Sequence, residues 1–566
     1  MKKNSFKGLA AVALIGASVT GCKLLGDLDY ELDHDPVQMH GDSVRVKVTV
    51  TVPKKGIHKK VVAEITPKLG NKEYKVITIQ GEKAEGNGIV IPKEGKKVSY
   101  EDVVPYDPSM ENSDLTISGV ARKKKKEIEV PETKIADGTI ITPFWVQPDD
   151  KALIGNDAFQ RVTEEMTMAQ INYLKGKHNV RSTEYKDQDV KDIQAFMADA
   201  QTNVKVEPKR VDLVAYASPE GEVAKNNDLA GNRATTGKEA SIEIAKKAKN
   251  EKLQGEDLYN PQPKGEDWEG FKSQLDSVPE KKIPAEEKAL IVRILEMYKD
   301  PQTRETEMKK LSKTFRVLEK EVLPPLRRTQ IQLVYDLTGY SDEELIALSK
   351  SNPDTLNVEE LLFTATLTED LNEKLRLYKE VQRQYPDDWR GYNNVGYVYY
   401  MQNKLDDAKS EFEKASAKEE HDEIFNNLGI IARIQGDRVK GKELLEKAGG
   451  SDETKYNLGI IAIQDGDYET AISNMGDNKT FNKALGQLLH EQYEDALKTI
   501  DESDDKETAI GYYLKAILGS RQGNFDMVKN NLKSAVAKDA SLKAKAAKDR
   551  EFIKFFENAE FQAIVQ

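Results

Sequence analysis

Cysteine is almost absent. Cys22 is the only one in 566 residues, which excludes an internal disulfide framework and a cysteine-rich zinc site. Histidine is scarce too: six residues at no ligand spacing, so no metal and no cofactor are expected. His34 and His40 lie among acids in a stretch that reads as flexible. Surplus positive charge is missing. A net charge of −12 speaks against nucleic-acid binding, which needs a basic surface. The one basic run, RKKKK at residues 122–126, reads as a strand edge blunted by lysine. Long apolar runs are also lacking, and none reaches the roughly 18 residues of a bilayer-spanning helix. With no cysteine nucleophile, no histidine site pattern and no glycine-rich phosphate loop, an enzyme is not expected.

The cysteine that is present stands at a telling place. Lys2, Lys3 and Lys7 precede an apolar run from residue 9 to 17, and VTGC follows at residues 19–22. Small residues before a cysteine, after a basic start and a short apolar stretch, form the pattern of a bacterial lipoprotein signal. Residues 1–21 are thus expected to be removed and Cys22 lipidated, holding the protein to a membrane by acyl chains. Lys23 stands where inner-membrane retention would favour Asp, and acids begin only at Asp27. The expected location is therefore the periplasmic face of the outer membrane.

Residues 22–40 read as an acidic tether. In SVRVKVTVTVP the valines at 44, 46, 48, 50 and 52 alternate with polar residues, the period of a half-buried strand. VVAEITPKL, YKVITIQ, LTISGVAR and TIITPFWVQ read as further strands, so residues 41–150 are expected to form a β-sandwich. From residue 155 to 340 strands and helices alternate. MTMAQINYLKG, RVDLVAYAS and RRTQIQLVYDL are strand candidates. STEYKDQDVKDIQAFMADAQ is a helix capped by Ser182 or Thr183, and a long helix starts near Val223. An α/β sandwich follows, with a helical insertion at about 251–322 before its last strand.

Residues 341–566 carry no strand signal and repeat themselves. Small residues recur at Gly396, Gly429, Gly459, Ala484 and Ala516, at intervals of 33, 30, 25 and 32 residues. Twelve positions after each comes a second small or modest residue, including Ala408, Ala471 and Ala496. A small residue lets one helix of a hairpin approach the next, and hairpins so built must stack to bury their apolar faces. Tyr392, Gly396, Tyr399, Ala408, Phe412 and Ala415 match one unit of a tetratricopeptide repeat, which this region resembles over about 356–540. The resemblance implies an all-α solenoid whose concave surface binds a protein partner. The 25-residue interval implies a trimmed turn. Tyr392 and Tyr399 are expected to share a packed face, with Tyr397 toward the concave side.

The stretch YASPEGEVAKNNDLAGNRA, residues 216–234, runs from a strand through a turn into a helix. Ser218, Gly221, Asn226, Leu229 and Arg233 fall at the spacing of the OmpA-like, peptidoglycan-associated domain. Arg328, in RRTQI, matches that family's final strand. The resemblance covers about 160–338 and implies a clamp for the diaminopimelate of the peptidoglycan stem peptide. There an aspartate meets the ammonium and an arginine, here Arg233, the carboxylate through paired hydrogen bonds. Ser218 stands in place of the aspartate and carries no charge. Glu220, two residues on around the turn, is not expected to replace it.

The expected protein is thus a non-enzymatic outer-membrane lipoprotein with three folded parts: an all-β sandwich, an OmpA-like α/β domain and an all-α repeat solenoid. Two roles stay open. One links the outer membrane to peptidoglycan and recruits a protein through the repeats. The other is a scaffold subunit of an outer-membrane assembly or secretion complex, of the type IX kind, whose OmpA-like domain no longer binds peptidoglycan.

Overall fold

Alternation of valine with polar residues makes Ser43–Val52 a strand with one wet face and one dry face. In the computed structural model, which describes residues 24–566 apart from Gly221, all five valines are at most 1% exposed. Ser43–Val52 pairs antiparallel with Lys96–Pro105, Asp29–Leu32 and Met39–His40. A second sheet runs in the order Lys126–Ala136, Leu115–Lys123, Val62–Leu69, Ile77–Gly81 and Ile89–Ile91. The two sheets share one apolar core, from Leu24 through Ala136. The stretch expected as a tether is therefore partly built in: Leu24, Val37 and Met39 are buried. Cys22 lies outside the described residues.

TIITPFWVQ is not a strand. Thr142–Trp145 forms a 3-10 turn with Pro143 near its start, and proline there removes a donor a sheet would need. Trp145 instead enters the core of the helical repeats. Those repeats follow Leu371–Gln384 as hairpins: Trp389–Met401 with Leu405–Lys418, Asp422–Ile434 with Arg438–Lys447, Asp452–Asp465 with Tyr468–Asn474, Phe481–Leu489 with Tyr493–Asp501, and Ala509–Arg521 with Phe525–Lys538. The short interval in the repeats has a visible cause, because Tyr468–Asn474 has only seven residues. The small residues sit at helix crossings. A Cβ on Gly396 would lie 2.7 Å from the Phe412 ring, and one on Gly459 2.8 Å from Met475. Ala408, Ala471, Ala484, Ala496 and Ala516 are fully buried. The described residues up to Asn156, with Thr368–Gln566, form one compact unit.

The other unit is Asp157–Leu367. Its sheet has the order Val162–Asn172, Arg328–Thr338, Val206–Ala217, Tyr259–Glu266. Helices Gln188–Thr202 and Val223–Lys247 bury Val190, Ile193, Met197, Ala240 and Ile244 against Ile171, Val211, Leu213, Ile331 and Leu333. The first helix begins at Gln188, with Asp187 rather than Ser182 or Thr183 before it. The insertion is not wholly helical. Tyr259–Glu266 is a strand parallel to Val206–Ala217. Its prolines, Pro261 and Pro263, hid it in the sequence and confine it to the sheet edge. Helices Asp342–Ser351 and Val358–Thr366, expected with the repeats, belong to this unit. Each opens with a reciprocal cap, Ser341 with Glu344 and Asn357 with Glu360. Among the described residues no helix is long and apolar enough to cross a membrane.

Candidate functional site

Each of four successive repeats carries an asparagine two positions before its small residue: Asn394, Asn427, Asn457 and Asn482. Two residues turn about 200° around a helix. The small residue therefore meets the second helix of its own hairpin, and the asparagine faces the opposite way, into the concave groove. There the side chains grip main chain. Asn394 Oδ1 accepts from Gly155 N–H at 2.7 Å and its Nδ2 donates to Gly155 C=O at 2.9 Å. Asn427 holds Leu153 likewise at 2.8 and 2.6 Å. Asn457 holds Lys151 at 2.7 and 3.0 Å, and Asn482 holds Gln147 at 2.8 and 2.8 Å. The occupant is the segment 147–155 of the same chain. It runs through the groove against the order of the repeats.

A second row supports the first. Asn426 Nδ2 donates to Lys151 C=O at 2.9 Å, and Asn393 Nδ2 to Leu153 C=O at 3.1 Å. Asn427 Nδ2 donates to Asn393 Oδ1, and Asn457 Nδ2 to Asn426 Oδ1, both at 2.9 Å. All these asparagines except Asn394 and Asn427, at 1%, are wholly buried. Each bond contributes about 0.5–1.5 kcal/mol net. Together they pin both backbone groups at Lys151, Leu153 and Gly155, as a neighbouring strand would.

Side chains of the segment add selectivity. Asp150 forms a paired ion bridge with Arg433, Nε donating at 2.8 Å and Nη2 to the second oxygen. The two side chains are 0% and 6% exposed. Burial pushes the Asp150 carboxyl above its ordinary range, against the opposing charge of Arg433. Asp149 accepts from Tyr456 Oη at 2.5 Å and Asn482 Nδ2 at 2.6 Å. Burial first, then Asp149, raises the Tyr456 phenol. Tyr400 Oη donates to Asp150 C=O at 3.2 Å. Tyr400 is thus a tyrosine that meets the groove's occupant, while Tyr399 packs with Phe412. Upstream, the Trp145 ring lies 4.6 Å from that of Tyr513 and 3.7 Å below Lys545 Nζ.

In the other unit, a cavity of about 420 Å³ opens at the turn after Val206–Ala217, lined by Lys175, His178, Ser218, Glu220, Asn226 and Leu229 among others. Glu220 does reach Ser218. Ser218 Oγ donates to its Oε1 at 2.7 Å, Arg327 Nη2 to the same oxygen at 2.7 Å, and Lys175 Nζ lies 2.9 Å from Oε2. Burial raises the Glu220 carboxyl, but Lys175, Ser218 and Arg327 outweigh it and hold it below its ordinary range. Asn226 Nδ2 donates to Glu220 C=O at 3.0 Å and to Glu266 at 2.8 Å.

Arg233 does not line this cavity. It is wholly buried, and its guanidinium donates to the carbonyls of Lys177, Tyr216 and Leu174 at 3.0, 2.8 and 3.4 Å. Burial pulls it down to about 10. Arg328 pairs with Asp267 at 2.6 Å and lies over the Tyr216 ring. The expected pairing of Ser218 with Arg233 is therefore corrected: the charges at the turn are Glu220, Arg327 and Lys175. Gly221 lies outside the described residues.

No family model matches the chain. Among curated proteins, the BBSome complex member BBS4 of Bos taurus is 27% identical over 112 residues, 19% of this chain and 22% of that protein. The chain thus matches about a fifth of that relative's length. Among solved structures, the APC/C hetero-tetramer Cut9–Hcn1 is similar at 13% identity with a TM-score of 0.31, over 39% of this chain and 44% of that one. A tetratricopeptide repeat protein of Parabacteroides merdae is similar at 16% and 0.28, over 38% and 91%. YrrB, a repeat protein with an unusual peptide-binding site, is similar at 18% and 0.20, over 36% and 99%. The neighbours are tetratricopeptide-repeat proteins, and the C-terminal half of this chain consists of helical repeats. The likeness of the central unit to the OmpA-like family rests on its motif alone.

Proposed function

We propose that the protein is a non-enzymatic scaffold of the bacterial outer membrane, lipidated at Cys22, facing the periplasm, whose repeats recruit a protein through an extended segment of that partner. One observation carries this reading: the asparagine ladder holds an extended stretch of chain, here residues 147–155, by its backbone alone at Lys151, Leu153 and Gly155. The test places a photoreactive phenylalanine analogue at position 400 in cells. A discrete adduct that disappears in an Asn427→Leu/Asn457→Leu background is the expected result. No adduct other than the protein with itself refutes recruitment through the groove.

A second reading concerns the central unit, and the mixed-charge cavity at Glu220 supports it. The unit binds the stem peptide of peptidoglycan, with Glu220 in place of the family's aspartate meeting the ammonium, and Lys175 and Arg327 meeting carboxylate. Cosedimentation of the full chain with purified sacculi, lost on Glu220→Gln, is expected. Equal binding by wild type and Glu220→Gln places peptidoglycan elsewhere or nowhere on this unit. It would leave the protein as a scaffold subunit of an assembly or secretion complex.

A further inference from the structure

The segment 147–155 occupies the groove as a ligand would. Its backbone is held at alternate residues, its acids enter fitted sites, and its other face stays open: Pro148 is exposed, and residues 151–154 are each partly exposed. Its apolar residues Ala152, Leu153 and Ile154 are each partly exposed. The core anchor is Trp145, just upstream. The segment can therefore leave the groove by exchanging polar contacts for water while Trp145 holds the β-sandwich in place. A permanent interdomain strut has no need of an open, polar seat.

The seat also has a code. Arg433 demands an acid at the position of Asp150, and Tyr456 with Asn482 demands one at Asp149. At the far end a Cβ on Gly155 would lie 2.6 Å from Arg390 Cγ and 2.9 Å from the Trp389 ring, so only glycine fits without a shift. Between them the grip is on backbone and tolerates any extended residue that keeps its N–H at positions 151 and 153.

We propose that residues 147–155 are a resident pseudo-ligand that keeps the groove closed. The partner's segment that displaces it is an extended strand of the form Asp-Asp, four residues of which the first and third are not proline, then Gly. The inference rests on the recruitment reading and adds its regulation and specificity. An attached occupant faces the groove at an effective concentration in the millimolar range. A free segment of the same sequence is then shut out unless it arrives tethered or the resident is weakened.

The test uses the full chain and a fluorescent, end-capped peptide QPDDKALIGN. In wild type the peptide is expected to bind weakly or not at all below 100 μM or so, by the effective-concentration argument. In Asp149→Lys/Asp150→Lys, which loosens the resident, binding is expected at least tenfold tighter. Adding Arg433→Ala removes that gain, and a peptide with Gly replaced by Val fails to bind. Circular dichroism checks that each variant is folded. A second release variant, with residues 147–154 replaced by Gly and Ser, guards against a misfolded first. The proposal is overturned if folded release variants bind no better than wild type, or if the Val peptide binds as well as the Gly peptide. If the peptide binds released protein as expected while no adduct forms at position 400 in cells, the exchange stands and recruitment fails. These outcomes separate the two claims.

Discussion

Replacing Arg433 by Met tests how firmly the segment is held. The Asp150 carboxylate is fully buried, and Arg433 supplies its opposite charge and two of its hydrogen bonds. Removing one partner of such a pair costs about 3–5 kcal/mol, because the other charge is left uncompensated in a low-dielectric site. Asp150 escapes that cost by taking the segment out of the groove or by taking up a proton, so the assay is run at about pH 8, where protonation is the costlier route. The opening equilibrium should therefore shift by about two to four decades, at roughly 1.4 kcal/mol per decade, until the segment stands open. Lys151 makes this readable, since trypsin cuts after it only when the segment is free, and the cleavage rate tracks the open population when reclosing is fast. The expected result is cleavage at Lys151 at least a hundredfold faster in Arg433→Met. Adding Asp150→Leu should restore protection, because a matched apolar pair is often as stable as the ion pair it replaces. An unchanged rate in the single variant refutes the idea that the buried pair holds the segment.

Gly396→Val should destabilise the first complete hairpin by about 1–3 kcal/mol, read by urea denaturation, since its Cβ lies 2.7 Å from the Phe412 ring. Asp549 accepts from Tyr513 Oη at 2.8 Å, and burial raises its carboxyl to about 6 from 3.8. A carboxyl raised in the folded state favours folding when protonated, so its contribution is full below pH 4 or so and is lost as pH rises through about 6. Asp549→Asn should remove a loss of about 3 kcal/mol between those limits, measured as the difference in unfolding free energy from wild type. Arg233→Met should lower the thermal stability of the central unit, by removing the buried donor to the carbonyls of Leu174, Lys177 and Tyr216, rather than act on ligand binding alone.

The sheets and repeats were largely legible because their periods are strong: two in Ser43–Val52, and about thirty in the small residues from Gly396 onward. Tyr259–Glu266 was not, because an edge strand tolerates prolines that erase the apolar pattern. The turn at Ser218 was legible as a motif but misjudged in detail. Spacing placed Arg233 near the site, whereas only the fold shows its guanidinium among main-chain carbonyls and Glu220 folded back onto Ser218. The groove itself was written in plain view. An asparagine precedes each of four small residues by two positions, and the 200° between them is enough to place it on the concave face. Its occupant could not be read. QPDDKALIGN has no period and little apolar character, and its extended form comes from partners some 240 to 335 residues away.

The central claim is that the chain fills its own groove, and amide hydrogen exchange of the unmodified protein tests it most directly. The amides of Gln147, Lys151, Leu153 and Gly155, each donating to an asparagine, should exchange at least a hundredfold slower than in the free peptide QPDDKALIGN, and Asn457→Leu should release Lys151 first. Exchange at the free-peptide rate throughout 147–155 would contradict it.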